Sequence, residues 1–271
     1  MLGRLVRHDI RAISKRAVPL FIASGIVSLL CCAVIYFTFG FADGIDSIFN
    51  AFMLTGGLSM ICVGTIIAMF VSVLILVVAR YYRSVFSDEG YLFMTVPVKK
   101  KTFLNAKVIS SFIWFLLAAA VAWASAFISL VLPVLLYDTS LISNVFELIK
   151  KEMGLTEVDT VYSLTAFAVR IIIAAASIVK DVMLIIASIT LGAVMIKRFK
   201  MPFAILVYFL ISFTDELLID TVSALVHWIT VDQKWLTLLI NSVFELDMIA
   251  IVYIAAYIGT NFILEKKLNL P

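Results

Sequence analysis

Apolar residues in this chain run in long, nearly unbroken stretches, without the alternation of a half-buried strand or the narrow stripe of a soluble helix. A helix that crosses a bilayer needs about 20 predominantly apolar residues. Six stretches meet that length, at roughly 18–40, 52–79, 104–136, 166–196, 202–224 and 242–264. The pattern predicts an all-α membrane protein with six transmembrane helices, short loops and a single transmembrane domain over 1–271. Ahead of the first stretch, Leu2, Leu5, Val6, Ile10 and Ile13 recur at helical spacing, while Arg4, Arg7, Arg11 and Lys15 form an opposite stripe. This predicts an N-terminal amphipathic interfacial helix over 1–16, lying in the headgroup layer, where each basic residue gains about 1 kcal/mol from anionic lipid. The alternative is a frayed, positively charged end. The apolar stretch that follows is too long for a signal-peptide core and no small-residue cleavage site follows it, so it reads as a retained span. Leu141, Val145, Leu148 and Ile149 predict a further amphipathic helix over 142–153.

Composition agrees with this pattern. Hydrophobic residues make up 63% of the 271 and charged residues 14%, against about 25% charged in soluble domains. Mean hydropathy is +1.13. Too little polar surface remains to cover a water-facing globule, which excludes a soluble enzyme, a disordered chain and a nucleic-acid binder. The charges give the orientation. Sixteen of the 21 lysines and arginines fall on one side of the six stretches, at the N-terminus, in 80–107, at 197–200 and at 266–267. The positive-inside rule makes that side, and both termini, cytoplasmic. The opposite loops are acidic, with Asp43, Asp46, Asp138, Glu147, Glu152, Glu157 and Asp159. Cys31, Cys32 and Cys62 lie inside apolar runs and imply neither a disulfide framework nor a metal site.

The chemistry of an energy-consuming enzyme is missing from the sequence. No glycine is followed by lysine, so there is no Walker A loop to cradle phosphates. The two histidines, His8 and His227, form no H-E-x-x-H zinc motif. A membrane enzyme would have to be built on His227 and its neighbouring carboxylates. No catalytic residue, bound cofactor or metal is expected of this chain.

The longest cytoplasmic connection, over 81–103 with its flanks, reads RYYRSVFSDEGYLFMTVPVKKKTFLNAK. Ser87, Asp88, Glu89 and Gly90 form a polar turn, and Pro97 breaks any helix ahead of the third stretch. Phe86, Tyr91 and Phe93, interleaved with Asp88 and Glu89, suit a short helix that fills a groove on a soluble partner. The run from Tyr82 to Lys107 resembles the corresponding loop of bacterial ABC transporter permeases of the type-2 exporter family. The residues that carry the likeness are Tyr82-Arg83, Phe86, Asp88-Glu89-Gly90-Tyr91, Thr95-Val96-Pro97-Val98 and Lys107. The resemblance implies the membrane subunit of an ATP-driven exporter in a bacterial cell membrane. It implies a loop of Phe86, Asp88, Glu89, Tyr91 and Phe93 docked on a cytoplasmic ATPase subunit that carries ATP and Mg. It also implies a second permease copy or homologue as partner. The substrate would be a peptide, lipid or drug-like amphiphile.

Charges inside spans cost about 2.5–3.5 kcal/mol each, so those present here call for a reason. Counting at about 1.5 Å per residue puts Lys180 and Asp181, Asp215, Glu216 and Asp220, and Glu245 and Asp247 at similar depth in three spans. Glu216, Asp220, Ser223 and His227 share one helical face, and Arg170, Ala174, Ser177, Asp181 and Ser188 line another. Two readings fit: an acidic outer vestibule for a cationic or amphipathic substrate, or Lys180 paired with a neighbouring carboxylate and the other charges at the outer headgroups. An ion-coupled secondary transporter using Lys180, Asp181 or Glu216 is the alternative function. Small residues four apart, Gly64, Ala68 and Ser72, then Ala118, Ala122 and Ala126, allow close helix approach within the chain or at a dimer seam.

Overall fold

A computed structural model describes residues 2–40, 45–86, 100–137, 157–195, 200–229 and 233–266. Among them all regular structure is helical. Helix α1 spans Leu2–Gly40, α2 Ile45–Phe86 and α3 Lys100–Ala126; a π-helical turn, Phe127–Val131, leads from α3 into the short α4, Leu132–Tyr137. Then follow α5 at Glu157–Met195, α6 at Lys200–Ile229 and α7 at Lys234–Lys266. Six segments are long and apolar enough to cross a membrane: Leu2–Thr38, Leu54–Phe86, Lys101–Ser129, Leu164–Met195, Pro202–Ile229 and Trp235–Leu264. The protein is a multi-pass membrane protein, helical in its described residues.

The helices outrun their apolar stretches. The 39 residues of α5 extend about 58 Å, nearly twice an apolar core of about 30 Å. Backbone hydrogen bonding does not stop where side chains turn polar. For the same reason the 81–103 connection is helical at both ends: Phe86 closes α2 and residues 100–103 open α3. Residues 87–99 lie outside the described residues, as does the 142–153 segment. Residues 2–16 are helical, but they run without a break into the first span as one helix through Pro19. An interior proline costs about 3 kcal/mol in a soluble helix; spanning helices tolerate it where surrounding groups re-satisfy the freed carbonyl.

The π-helical turn also has a local cause. Leu132 donates its N–H to the carbonyl of Phe127, five residues back. Pro133, next in the chain, has no N–H and its ring crowds the carbonyl four residues earlier, at Ser129. Widening the turn relieves that contact.

The chain divides into two compact units, Met1–Ile10 with Val77–Ile113 and Glu157–Pro271, and Arg11–Leu76 with Trp114–Thr156. In the first, α5 is the central helix. Some 44% of its most apolar window is buried, against 11% for α6 and 6% for α7. Every residue from Val182 to Thr190 is buried, so that stretch of α5 is enclosed on all sides. Tyr162 of α5 meets Trp235 of α7 edge to face at 5.2 Å. Both rings sit near the N-terminal ends of their helices, so α5 and α7 run parallel. The Asn241 amide reaches Ser223 Oγ at 3.4 Å, tying the start of α7 to the end of the antiparallel α6. Tyr81 near the end of α2 shares a buried 2.8 Å hydrogen bond with Thr190 near the end of α5.

In the second unit Ser24 of α1 and Ser125 of α3 share a buried 3.2 Å hydrogen bond, and the rings of Phe21 and Trp114 lie 6.1 Å apart. A groove of about 180 Å³ between α1 and α2 is lined by Leu20, Ala23, Ser24, Thr65, Ala68 and Ser72. Two members of the small-residue stripe, Ala68 and Ser72, thus border space. A Cβ built on the third, Gly64, would meet no atom within 4 Å. Cys31, Cys32 and Cys62 are buried free thiols.

Candidate functional site

Among the described residues, charged side chains of the first unit pair in three places, and their surroundings differ. The deepest is on α5 and α6. Lys180 donates to Asp215 Oδ2, and Asp181 Oδ1 stands 3.8 Å from the same ammonium. The side chains of Lys180 and Asp215 are 9% and 2% exposed, and the other oxygen of Asp215, Oδ1, is buried with no hydrogen-bond partner among the described residues. Lys180 lies fifteen residues from the end of α5 and Asp215 fifteen from the start of α6, so both sit about 22 Å in from the same side. A lone charge at that depth is expensive; antiparallel packing of α5 and α6 supplies each with its counter-charge.

Ten residues back along α5, about 15 Å away along the axis, Arg170 Nη1 bonds both oxygens of Glu245 on α7, at 3.1 and 3.2 Å. Glu245 is largely buried while the Arg170 side chain is 62% exposed. Beside the pair lies a cavity of about 100 Å³, whose polar walls are Tyr162, Arg170, Thr237, Asn241, Ser242 and Glu245. The Oδ1 atom of Asn241 is buried without a partner among the described residues.

The third place is not among the expectations drawn from the sequence. Asp9 of α1 is 3% exposed. Its carboxylate accepts from Lys107 Nζ at 2.8 Å to Oδ1, with Oδ2 2.7 Å from the same ammonium, and from Arg80 Nε at 3.3 Å. Lys107 is itself buried and stands 5.3 Å over the ring of Phe103. The signal was available. Asp9 lies four residues after Leu5 and four before Ile13, in the middle of the apolar face of the N-terminal helix. An acid there either spoils the face or has a partner. The face that turns inward is Asp9, Ile13 and Ala17.

Thus, of the seven charges expected at one depth, the structure brings Lys180, Asp181 and Asp215 together and pairs Glu245 separately with Arg170. Glu216, Asp220 and Asp247 are exposed and make no ion pair among the described residues. The face of Glu216, Asp220, Ser223 and His227 is realised on a continuous α6, with His227 exposed in its last turn. Among the described residues no three His, Cys, Asp or Glu side chains converge as metal ligands. Of the loop residues, Phe86 ends α2 with its ring 5.6 Å from that of Tyr82; Asp88, Glu89, Tyr91 and Phe93 lie outside the described residues. Compared with family models, curated proteins and solved structures, the chain finds no match.

Proposed function

We propose that this chain is the transmembrane permease subunit of an ATP-driven ABC exporter in a bacterial cell membrane, with both termini cytoplasmic. The observation that carries the reading is the run from Tyr82 to Lys107, which resembles the cytoplasmic loop of type-2 exporter permeases. Six apolar helices and the missing Walker A loop are compatible with it. In this reading Phe86, Asp88, Glu89, Tyr91 and Phe93 contact a separate ATPase subunit that carries ATP and Mg, and two permease copies enclose the pathway. The basic stripe of the N-terminal helix rests on anionic headgroups. Exposed Glu216, Asp220 and Asp247 line an outer vestibule that a cationic or amphipathic substrate leaves by.

The test is a mild-detergent pull-down from native membranes, assayed for ATP hydrolysis. Wild type is run beside a variant with Phe86, Asp88, Glu89 and Tyr91 changed to alanine. ATPase activity should co-purify with the wild type and disappear with the variant. A folded wild type with no associated ATPase refutes the reading. Replacing Glu216 and Asp220 by Gln and Asn should lower transport while leaving that ATPase in place; unchanged transport removes the vestibule.

A second reading, an ion-coupled secondary transporter, has one observation in its favour: the buried Lys180–Asp215 pair with Asp181 3.8 Å from the lysine. It requires transport that follows the ion gradient and persists when ATP is exhausted.

A further inference from the structure

Asp9 stands between the two helix ends that the 87–99 connection joins. Arg80 lies six residues before the end of α2, and Lys107 seven residues after the start of α3. Asp9 lies seven residues from the start of α1. At about 1.5 Å per residue all three are some 10 Å in from their helix ends, so one carboxylate holds three helices at one level. Both of its oxygens face Lys107, and Oδ1 accepts from Arg80 as well.

Burial makes this contact directional. Asp9 and Lys107 are 3% and 4% exposed, so neither charge is well solvated where it stands, and separating them takes from each a counter-charge in direct contact. Exposed pairs slip and are screened by salt; buried, hydrogen-bonded ones hold one geometry. The setting is also unlike the rest of the arm. Arg4, Arg7, Arg11 and Arg16 are exposed, whereas Asp9 is turned inward with Ile13 and Ala17. Nothing in a headgroup-binding stripe calls for a buried acid. A carboxylate is what two inward-facing cations on α2 and α3 require.

We propose that Asp9, through Arg80 and Lys107, is a positioning residue: it fixes the spacing of the α2 and α3 ends, and thereby presents the connection between them to its partner. This rests on the permease reading for the identity of the partner, a cytoplasmic ATPase subunit. The clamp itself does not depend on that reading. A connection whose ends are held at one distance has less freedom to lose on docking. If releasing the clamp leaves the docking geometry populated about a tenth of the time, apparent affinity for the partner falls about tenfold.

The experiment uses the full chain in lipid nanodiscs, with the native cysteines replaced and spin labels at Arg83→Cys and Lys101→Cys, one on each helix end. Three forms are compared: wild type, Asp9→Asn, and the exchanged pair Asp9→Lys with Lys107→Asp, which keeps one acid and two bases among the three positions. Each is scored for the label-to-label distance distribution and, without labels, for ATPase co-purified from native membranes. The expected result is a narrow distribution in wild type, a broad one in Asp9→Asn with about tenfold less ATPase, and recovery of both in the exchanged pair. A distribution that stays narrow in Asp9→Asn overturns the clamp. A broad distribution with undiminished ATPase overturns the positioning role. Equal broadening in Asp9→Asn and the exchanged pair means that the charges do not set the spacing, and overturns the proposal. Should Asp9→Asn not accumulate, the exchanged pair decides: narrow with wild-type ATPase supports the inference, broad refutes it. Absence of ATPase from the wild type refutes the permease reading, and the distance measurements then still decide the clamp.

Discussion

The ion pairs of α5 differ in what surrounds them, and the difference sets what each substitution does. Lys180 and Asp215 are both sealed from water. Truncating one partner of such a pair leaves an uncompensated charge, which costs about 3–5 kcal/mol, whereas replacing both by apolar residues is close to neutral. Lys180→Ala should therefore lower the unfolding midpoint in detergent sharply, and Lys180→Met with Asp215→Leu should restore it. Arg170 is mostly exposed, and its partner Glu245 borders a cavity of about 100 Å³ with polar side chains in its wall. Arg170→Ala should cost about 1 kcal/mol or less. A midpoint for Arg170→Ala as low as that for Lys180→Ala would show that burial is not the governing variable. The pairing of Lys180 with a neighbouring carboxylate was one of two readings open from the sequence. Which carboxylate, and that Glu245 belongs to Arg170 instead, depends on how α5, α6 and α7 are rotated about their axes.

At the scale of the element, apolar run length located six spans but not their ends. Run length responds to where side chains leave the apolar core, and the helices continue into polar sequence because their backbone bonds remain satisfied. Tyr82 and Phe86, read as the start of a connection, instead sit one turn apart at the end of α2 with their rings in tilted contact. The π-helical turn at Phe127–Val131 is the converse case, a break inside an apolar run with a single nearby cause. Pro133→Ala removes the ring that crowds the Ser129 carbonyl. The Leu132 N–H should then return to the carbonyl of Ile128, merging α3 and α4 into one α-helix, as a structure of the variant would reveal. The unfolding midpoint should rise, since alanine is favoured over proline inside a helix by about 3 kcal/mol. Retention of the five-residue hydrogen bond in the variant would mean that packing, not Pro133, widens the turn.

For the whole molecule, the number of spans and the distribution of basic residues make a sided prediction. The native cysteines are buried within spans, so they give little background to a membrane-impermeant maleimide. In intact cells a cysteine introduced by Ser140→Cys should react from outside, and one introduced by Ser87→Cys should react only after the membrane is opened. The reverse pattern would invert the orientation, and equal reaction of both would contradict an odd number of spans between them. The same sidedness governs the partner. An ATPase in the cytoplasm can reach residues 87–99 only if Ser87 is protected in intact cells.

Asp9 marks where the sequence stops and the tertiary structure begins. The sequence alone determined that this is a multi-pass helical membrane protein with six stretches long and apolar enough to cross, because the cost of exposing unpaired backbone to lipid leaves long apolar helices few alternatives. It also determined which spans carry charge, since composition is local. It could not determine the partners of those charges. The pairs between helices join residues 35, 71, 75 and 98 positions apart, and one residue of rotation about a helix axis turns a side chain by about 100°. Only packing fixed that α5 is enclosed, that Lys180 meets Asp215 and not Glu216, and that an acid in the basic arm faces inward to Arg80 and Lys107.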